Sequence, residues 1–342
     1  MMISRVGGRI VKSCGVMMRS LALVAILSCA LTAADTIYLA LLKGASALAY
    51  LSPDGKVLAS VSVGHHPHEM VFSKDRKYLY TSDNGIMRIE YAGKGGNSLS
   101  IIDVAARKKI GDIPLGEYYR PHGIDLSPET GMLAVTSEGP DQLLLVDPVK
   151  RRVVKHFDTK GKTPHMVSFG PEGRWAYVSN SSSGNVSAIN VQTGETKMIP
   201  AGERPEGSVL SRDGKELYVT NREAASITVI DTTRQQAIAS IQTGKGPVRI
   251  ALTPDGSTLV YALMHDKKVA FADPKQRKQI DYVIVPGEPS SCTLSHDGKL
   301  AFVSAETSDT IYVIDVKARK ITGEVKLAKG SGPDPVLDIP AR

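Results

Sequence analysis

A short phrase, Gly-x-x-Pro, returns along this chain at a nearly constant interval, and that interval limits what the chain can fold into. It reads GHHP ending at Pro67, GKTP at Pro164, GERP at Pro205, GKGP at Pro247 and GSGP at Pro333. Two variants, GEYYRP at Pro121 and GEP at Pro289, fill the gaps. Successive prolines stand 54, 43, 41, 42, 42 and 44 residues apart. A period of this size marks a stack or ring of one supersecondary unit that cannot bury its apolar face alone.

Each repeat contains the same four pieces in order. A first apolar run starts at the proline and closes in a turn, as in SVLSRDGK, IALTPDGS and CTLSHDGK, where Asp-Gly supplies the tight connection. A second run follows (ELYVTN, WAYVSN, LAFVSA, YLYTSD), then a third (SITVID, TIYVID, LLLVDP, VSAINV), then a fourth leading back to glycine, as in AIASIQTG. All are rich in β-branched or aromatic residues with near period-2 alternation, so all read as strands. Four strands in about 40–45 residues is a propeller blade. Six complete repeats run from Pro67 to Gly330. PDPVLDIP at the C-terminus matches only a first strand, while TIYLALL, ALAYLS and KVLASVSVG near the N-terminus match the other three. The expected fold is all-β, a seven-bladed propeller with four antiparallel strands per blade. Its last blade is closed by both termini, which leaves no open sheet edge.

The first 34 residues read as a separate unit. Arg5, Arg9, Lys12 and Arg19 precede the apolar run LALVAILSCALTAA, with no acidic residue among them. This is the pattern of a secretory signal peptide with cleavage before Asp35, and the run is short for a bilayer-spanning helix. The propeller then spans 35–342, and a periplasmic or extracellular location is expected. ILSC before Ala30 loosely matches a lipoprotein motif, with Cys29 as the lipidated residue. Without the leader, 38 basic residues face 35 acidic ones, a net charge of +3. That is too mild to imply nucleic acid. Cys292 is then the lone thiol, so no intramolecular disulfide is expected, and neither is an oligomer.

ELYVTN at Glu216–Asn221 and WAYVSN at Trp175–Asn180, each after a D/E-G-K/R turn, resemble the YVTN family of β-propeller repeats. The resemblance covers residues 35–342. It implies the seven-bladed fold, in a family that includes lactonase-like enzymes, surface-layer proteins and periplasmic proteins. Fold alone assigns no chemistry. The chain has no Trp-Asp pair of the WD40 kind, one tryptophan (Trp175) where quinone-binding propellers carry one per blade, and no C-x-x-C-H.

The residue after each proline begins the innermost strand at one end of the channel. Blade by blade it is His68, His122, His165, Glu206, Val248, Ser290 and Asp334. Three imidazoles and a carboxylate in consecutive blades can converge on the axis and hold a divalent metal ion. If catalytic, that metal would serve as Lewis acid or activate water, in a lyase, hydrolase or lactonase-like reaction. His65, His66 or His265 would then move protons, with Arg120 or Arg204 gripping the carboxylate of a small anionic ligand. A polar site without metal, and a non-catalytic propeller that binds a protein or surface, both stay open. The opposite face carries basic turns at Ala106–Lys109, Lys150–Arg152, Lys275–Lys278 and Lys317–Lys320, a solvated edge or a docking rim for such a partner. Residues Asn84–Ser98 lengthen one repeat by about a dozen positions on the histidine face. They are expected to act as a partial lid, hinged at Gly93, Gly95 and Gly96, with Arg88, Tyr91 and Lys94 toward the ligand.

Overall fold

Alternating apolar runs separated by Asp-Gly turns fold locally into antiparallel hairpins, and here the hairpins close a ring. A computed structural model of the chain describes residues 36–339, so the proposed leader lies outside the described residues. Seven four-stranded antiparallel sheets surround a channel. Blades 1 to 6 start at Pro67, Tyr119, Pro164, Pro205, Pro247 and Ser291. In each, the first strand in sequence is an edge of the sheet and the fourth is the opposite edge. Blade 7 is composite, with strand Pro333–Ile339 pairing antiparallel to Ile37–Leu42 in the register Leu39↔Leu337. The seven blades and the closure by both ends of the chain are as the repeats require.

Apolar residues fill the spaces between blades. There is one buried cluster at each of the seven blade–blade interfaces, such as Tyr80, Leu99 and Ile101 against Leu133, Val135 and Leu144. Second strands such as Ile37–Leu42 and Glu216–Asn221 are buried on both faces, whereas fourth strands such as Gln236–Gln242 are mostly exposed. The chain thus spends its continuous apolar runs on middle strands and its polar alternation on the rim.

Two letters of the YVTN phrase have a structural duty. The Ser or Thr bonds forward to the next blade: Ser82 Oγ donates to the His122 carbonyl (2.6 Å), Thr136 Oγ1 to His165 (2.8 Å), Thr220 Oγ1 to Val248 (2.7 Å) and Ser304 Oγ to Asp334 (2.5 Å). The final Asn or Asp fills the space above its own blade. A Cβ on Gly161 would stand 2.2 Å from Asn180 Cγ, and one on Gly64 2.2 Å from Asp83 Cγ. The glycine of Gly-x-x-Pro is therefore required by close approach.

The basic turns of the opposite face reach back onto the preceding blade. Arg277 pairs with Glu216 (3.2 Å), Arg319 with Asp281 (3.0 Å), and the Arg107 guanidinium lies 5.3 Å from the Tyr50 ring centre. Each of these arginines has a left-handed backbone, which aims its side chain sideways along the rim.

Deleting residues 333–342 removes the inner strand of blade 7 and uncovers one edge of Ile37–Leu42. The shortened chain should lose its single cooperative thermal transition, and an unchanged melting curve would refute closure. Burial pushes the Asp83 carboxyl up to about 6, against opposing hydrogen bonds from Ser100 and Thr81. A folded pKa above the ordinary value of 3.8 gives stability that is full below that value and lost as pH rises toward and through 6. Asp83→Asn stays neutral and matches Asn180 and Asn221. Chemical denaturation should show it more stable than wild type by roughly 2–3 kcal/mol near pH 7.5, with the gain vanishing near pH 4.

Candidate functional site

The inner strands leave the regular ladder where the site begins. Register shifts fall between Pro67 and Met70, Pro121 and Ile124, Pro164 and Val167, Pro205 and Ser208, and Pro247 and Ile250. Such bulges re-aim side chains, and these turn the residue after each proline into the channel. The amides freed by the bulge are not left bare. Glu69, Gly123 and Gly207 donate to Ser82 Oγ (3.0 Å), Thr136 Oγ1 (2.8 Å) and Thr220 Oγ1 (2.9 Å), the same hydroxyls that reach the next blade.

Two rings of side chains result. The lower one holds the residues after the prolines, with His68, His122, His165, Glu206, Val248 and Asp334 all buried. The upper one follows the position that pairs with the proline, as Asp83 pairs with Pro67, Ser137 with Pro121, Asn221 with Pro205 and Leu42 with Pro333. It contributes Asn84, Glu138, Arg222, Met264, Glu306 and Lys43. Most members of both rings line a cavity of about 310 Å³ at the channel mouth, together with His265 and residues 87–90 of the long loop.

The partners of His68 and His122 set which ring nitrogen carries hydrogen, whereas His165 has a carboxylate facing each nitrogen. His68 Nε2 donates to the Ile86 carbonyl of the loop (2.7 Å). His122 Nδ1 donates to Glu138 Oε1 (2.9 Å), leaving Nε2 to face Arg249 Nη2 at 3.4 Å. His165 Nε2 meets Glu206 Oε2 at 2.7 Å, while its Nδ1 stands 3.7 Å from Glu138 Oε1 with no hydrogen-bond partner. Burial, joined by Lys43 and His122, holds the His68 pKa well below its usual value. Burial, then His165 and Arg249, does the same to His122. For His165 burial opposes the charge, but Glu206 and Glu138 outweigh it and raise the pKa. Burial likewise opposes ionisation of Glu206, yet His165 and the arginines hold it down at about 2.

Ion pairs surround this core. Arg249 binds Glu69 through Nη2 (2.7 Å) and Nε (2.9 Å), joining blades 5 and 1 across the channel. Lys43 Nζ lies between Glu306 (2.5 Å) and Asp334 (2.9 Å), and these two carboxylates raise its pKa against the opposing pull of burial. Arg120 holds Glu138 Oε2 (2.9 Å) and the loop carbonyls of Ile89 (3.0 Å) and Tyr91 (3.1 Å). Arg204 and Arg222 meet the loop carboxylate Glu90.

The structure thus brings His68, His122, His165, Glu206 and His265 to one cavity. His65 is exposed, and His66 donates from Nδ1 to the Lys43 carbonyl (3.1 Å), so neither lines it. Arg120 and Arg204 act as posts for the loop. The loop covers the mouth, with Met87, Arg88, Ile89 and Glu90 inward, while Tyr91 is exposed and Lys94 lies over the Tyr119 ring (4.1 Å). Its glycines form a tight neck: a Cβ on Gly85 would stand 2.2 Å from Gly96 N. Among the described residues, one group places three potential metal-ligand atoms within 4.8 Å of one another: His122, Glu138 and His165. Glu69, Arg249 and Lys43 were not singled out from sequence. Their signal was positional, since Glu69 and Arg249 are opposite charges at the same place, two residues after the proline.

Fold and site together define a seven-bladed β-propeller with a buried, highly charged cup at one end of its channel. Residues 116–283, which contain His122, Glu138, His165, Glu206 and Arg249, match the family model described as Lactonase, 7-bladed beta-propeller. The YVTN-repeat resemblance is consistent with a propeller family. The chain is similar to Kuenenia stuttgartiensis hydrazine synthase at 20% identity and a TM-score of 0.68, over 80% of this chain and 90% of that one. It is similar to a functionally unknown protein from Desulfotomaculum acetoxidans at 14% identity and a TM-score of 0.74, over 90% and 99% of the two chains. A third likeness is to the dihydro-heme d1 dehydrogenase NirN in complex with DHE, at 13% identity and a TM-score of 0.64, over 88% and 74%. At these identities the likenesses establish the fold alone.

Lys43→Met leaves Glu306 and Asp334 buried side by side without their cation. Urea denaturation should show a loss of about 3–5 kcal/mol, the cost of breaking a buried ion pair from one side. A loss under about 1 kcal/mol would place the two carboxylates in contact with water.

Proposed function

We propose that this protein is an exported propeller that holds one divalent metal ion at His122, Glu138 and His165 and acts on a small anionic substrate as a metal-dependent hydrolase or lyase of the lactonase-like kind. The observation that carries the reading is the buried, unpartnered Nδ1 of His165, 3.7 Å from Glu138 Oε1, with His122 Nδ1 on the same oxygen at 2.9 Å. A His-Glu-His donor set is one that catalytic zinc sites use, leaving a coordination position open. The surroundings support it. Glu206 receives the other ring nitrogen of His165, and Arg120 fixes the other oxygen of Glu138, as the outer partners of metal ligands do.

Metal binding would replace the proton that His122 now donates to Glu138. Arg249 stands 3.4 Å from the other nitrogen of that ring, and its two shorter bonds to Glu69 would keep it anchored once that contact is given up. A bound divalent ion would polarise a carbonyl or lower the pKa of water. The chain's own residues would do the rest. Arg222 and Arg249 offer charge to a substrate oxyanion, exposed His265 at the mouth can pass a proton to solvent, and the loop excludes water. His68 would support the loop through Ile86. Export rests on residues 1–34, and a monomer remains the proposed state. The alternative is a non-catalytic binding propeller, whose basic face or mouth meets a protein or surface partner. The close pairing of Arg249, Lys43 and Arg120 with carboxylates favours it, because paired cations grip a substrate less strongly.

Elemental analysis after dialysis against zinc or manganese decides between them. Wild type should retain about one ion per chain, His165→Ala close to none, and His68→Ala about as much as wild type. Equal retention by wild type and His165→Ala would eliminate the metal reading. A panel of lactones and hydroxy acids assayed with the loaded protein then separates enzyme from binding module.

A further inference from the structure

The cavity's roof poses a separate question, because it is fastened by a charge that faces inward. Glu90 is the acidic residue of the long loop, and its Oε1 meets both Arg204 and Arg222, the latter at 3.0 Å. The two arginines belong to blade 4. Arg204 precedes Pro205, Arg222 follows Asn221, and the Arg222 amide donates to the Arg204 carbonyl (2.9 Å), so their separation is set by the blade. Both arginine side chains are more sheltered than the carboxylate, with exposures of 27% and 13% against 48% for Glu90. A half-exposed carboxylate on a loop therefore stands on two fixed, sheltered cations.

Directly below, the polar groups are incompletely used. Glu206 Oε1 and Arg204 Nε are both buried and lack hydrogen-bond partners, 3.6 Å apart. Arg222 Nη1 is 3.4 Å from the same Glu206 oxygen. Two arginines thus converge on Glu90 above and Glu206 below, and the Arg204 Nε–H faces Glu206 without making a hydrogen bond. Paired guanidinium groups in fixed geometry match the oxygens of a carboxylate or phosphate.

We propose that Arg204 and Arg222 form an oxyanion subsite at the channel mouth, that Glu90 is its built-in occupant, and that a small carboxylate or phosphate ligand binds by displacing Glu90 and lifting the loop. This rests on the reading that the mouth takes an anionic ligand, and it names the residues and the competitor. Arg120 holds the Ile89 and Tyr91 carbonyls on either side of Glu90, so lifting that end breaks those bonds as well, while the His68 bond to Ile86 and the Gly85 and Gly96 backbone bonds keep the base of the loop in place.

The test uses inorganic phosphate and acetate as probes, calorimetry for affinity, and trypsin cleavage after Arg88 and Lys94 to follow the loop. Phosphate should accelerate cleavage of the wild-type loop several-fold. Glu90→Gln should bind phosphate about five- to tenfold more tightly, the worth of a part-exposed ion pair on two arginines, and its loop should be cut quickly without phosphate. Arg222→Met should lose phosphate binding; should that variant unfold, Glu90→Gln alone decides. Tighter acetate binding by Glu90→Gln, on the same scale, extends the subsite to carboxylates. Equal phosphate affinity in wild type and Glu90→Gln, or protection of the loop by phosphate, overturns displacement while leaving the anionic-ligand reading intact. Absence of phosphate and acetate binding in both proteins overturns the subsite and that reading together. Metal content measured on the same samples keeps the metal question separate.

Discussion

The interaction on which this structure depends is a hydroxyl shared between neighbouring blades. Ser82, Thr136 and Thr220 each accept the backbone amide freed by a bulge in their own blade and donate to the carbonyl of the channel-facing residue in the next. A bulge without that acceptor would strand a buried amide, at a cost of about 1–3 kcal/mol. A channel-facing residue without that donor would lose its register with the adjacent blade. The same atom therefore permits the distortion that builds the site and transmits its position around the ring. Ser304 performs the second half of this task toward Asp334, tying the composite blade into the circuit.

Much of this was legible in the sequence because a repeat converts spacing into position. Once the prolines were aligned, the residue after each one had to face the channel, and His68, His122, His165, Glu206 and Asp334 do so. What period and propensity do not carry is how charges choose partners across the channel. Glu69 and Arg249 lie 180 residues apart, and only the diameter of a seven-bladed ring brings them together. Glu138 stands on the histidine face because it follows Ser137, the residue that pairs with Pro121. Its place between two histidines depends on blade 2, whose first strand pairs through Tyr119↔Gly139 and so extends past the proline that begins most of the others. The expectation for the long loop was correct about the face and partly correct about the residues: Arg88 turns inward, whereas Tyr91 and Lys94 do not.

The electrostatics of the cup follow from crowding ionisable groups where water is scarce. A buried charge alone is costly, so each is paired with its opposite: Lys43 with Asp334 and Glu306, Arg249 with Glu69, and His165 with Glu206. This explains why three histidines in equivalent positions have different protonation tendencies. His165 has Glu206 beside it and is drawn toward the charged form, whereas His68 and His122 stay neutral among cations. Chemically distinct imidazoles have thus arisen from one repeated position through their neighbours alone.

The Glu69–Arg249 bridge has a consequence for traffic. It spans the channel with Arg249 itself lining the cavity, two sequence positions past the prolines of blades 1 and 5. Propeller channels run from face to face, and here an ion pair, with two guanidinium nitrogens on one carboxylate oxygen, lies across that path. A molecule that reaches the histidines meets that bridge on one side and the long loop on the other. Passage further along the axis would require that pair to part, so the bridge sets a charge barrier to through-traffic that the loop does not.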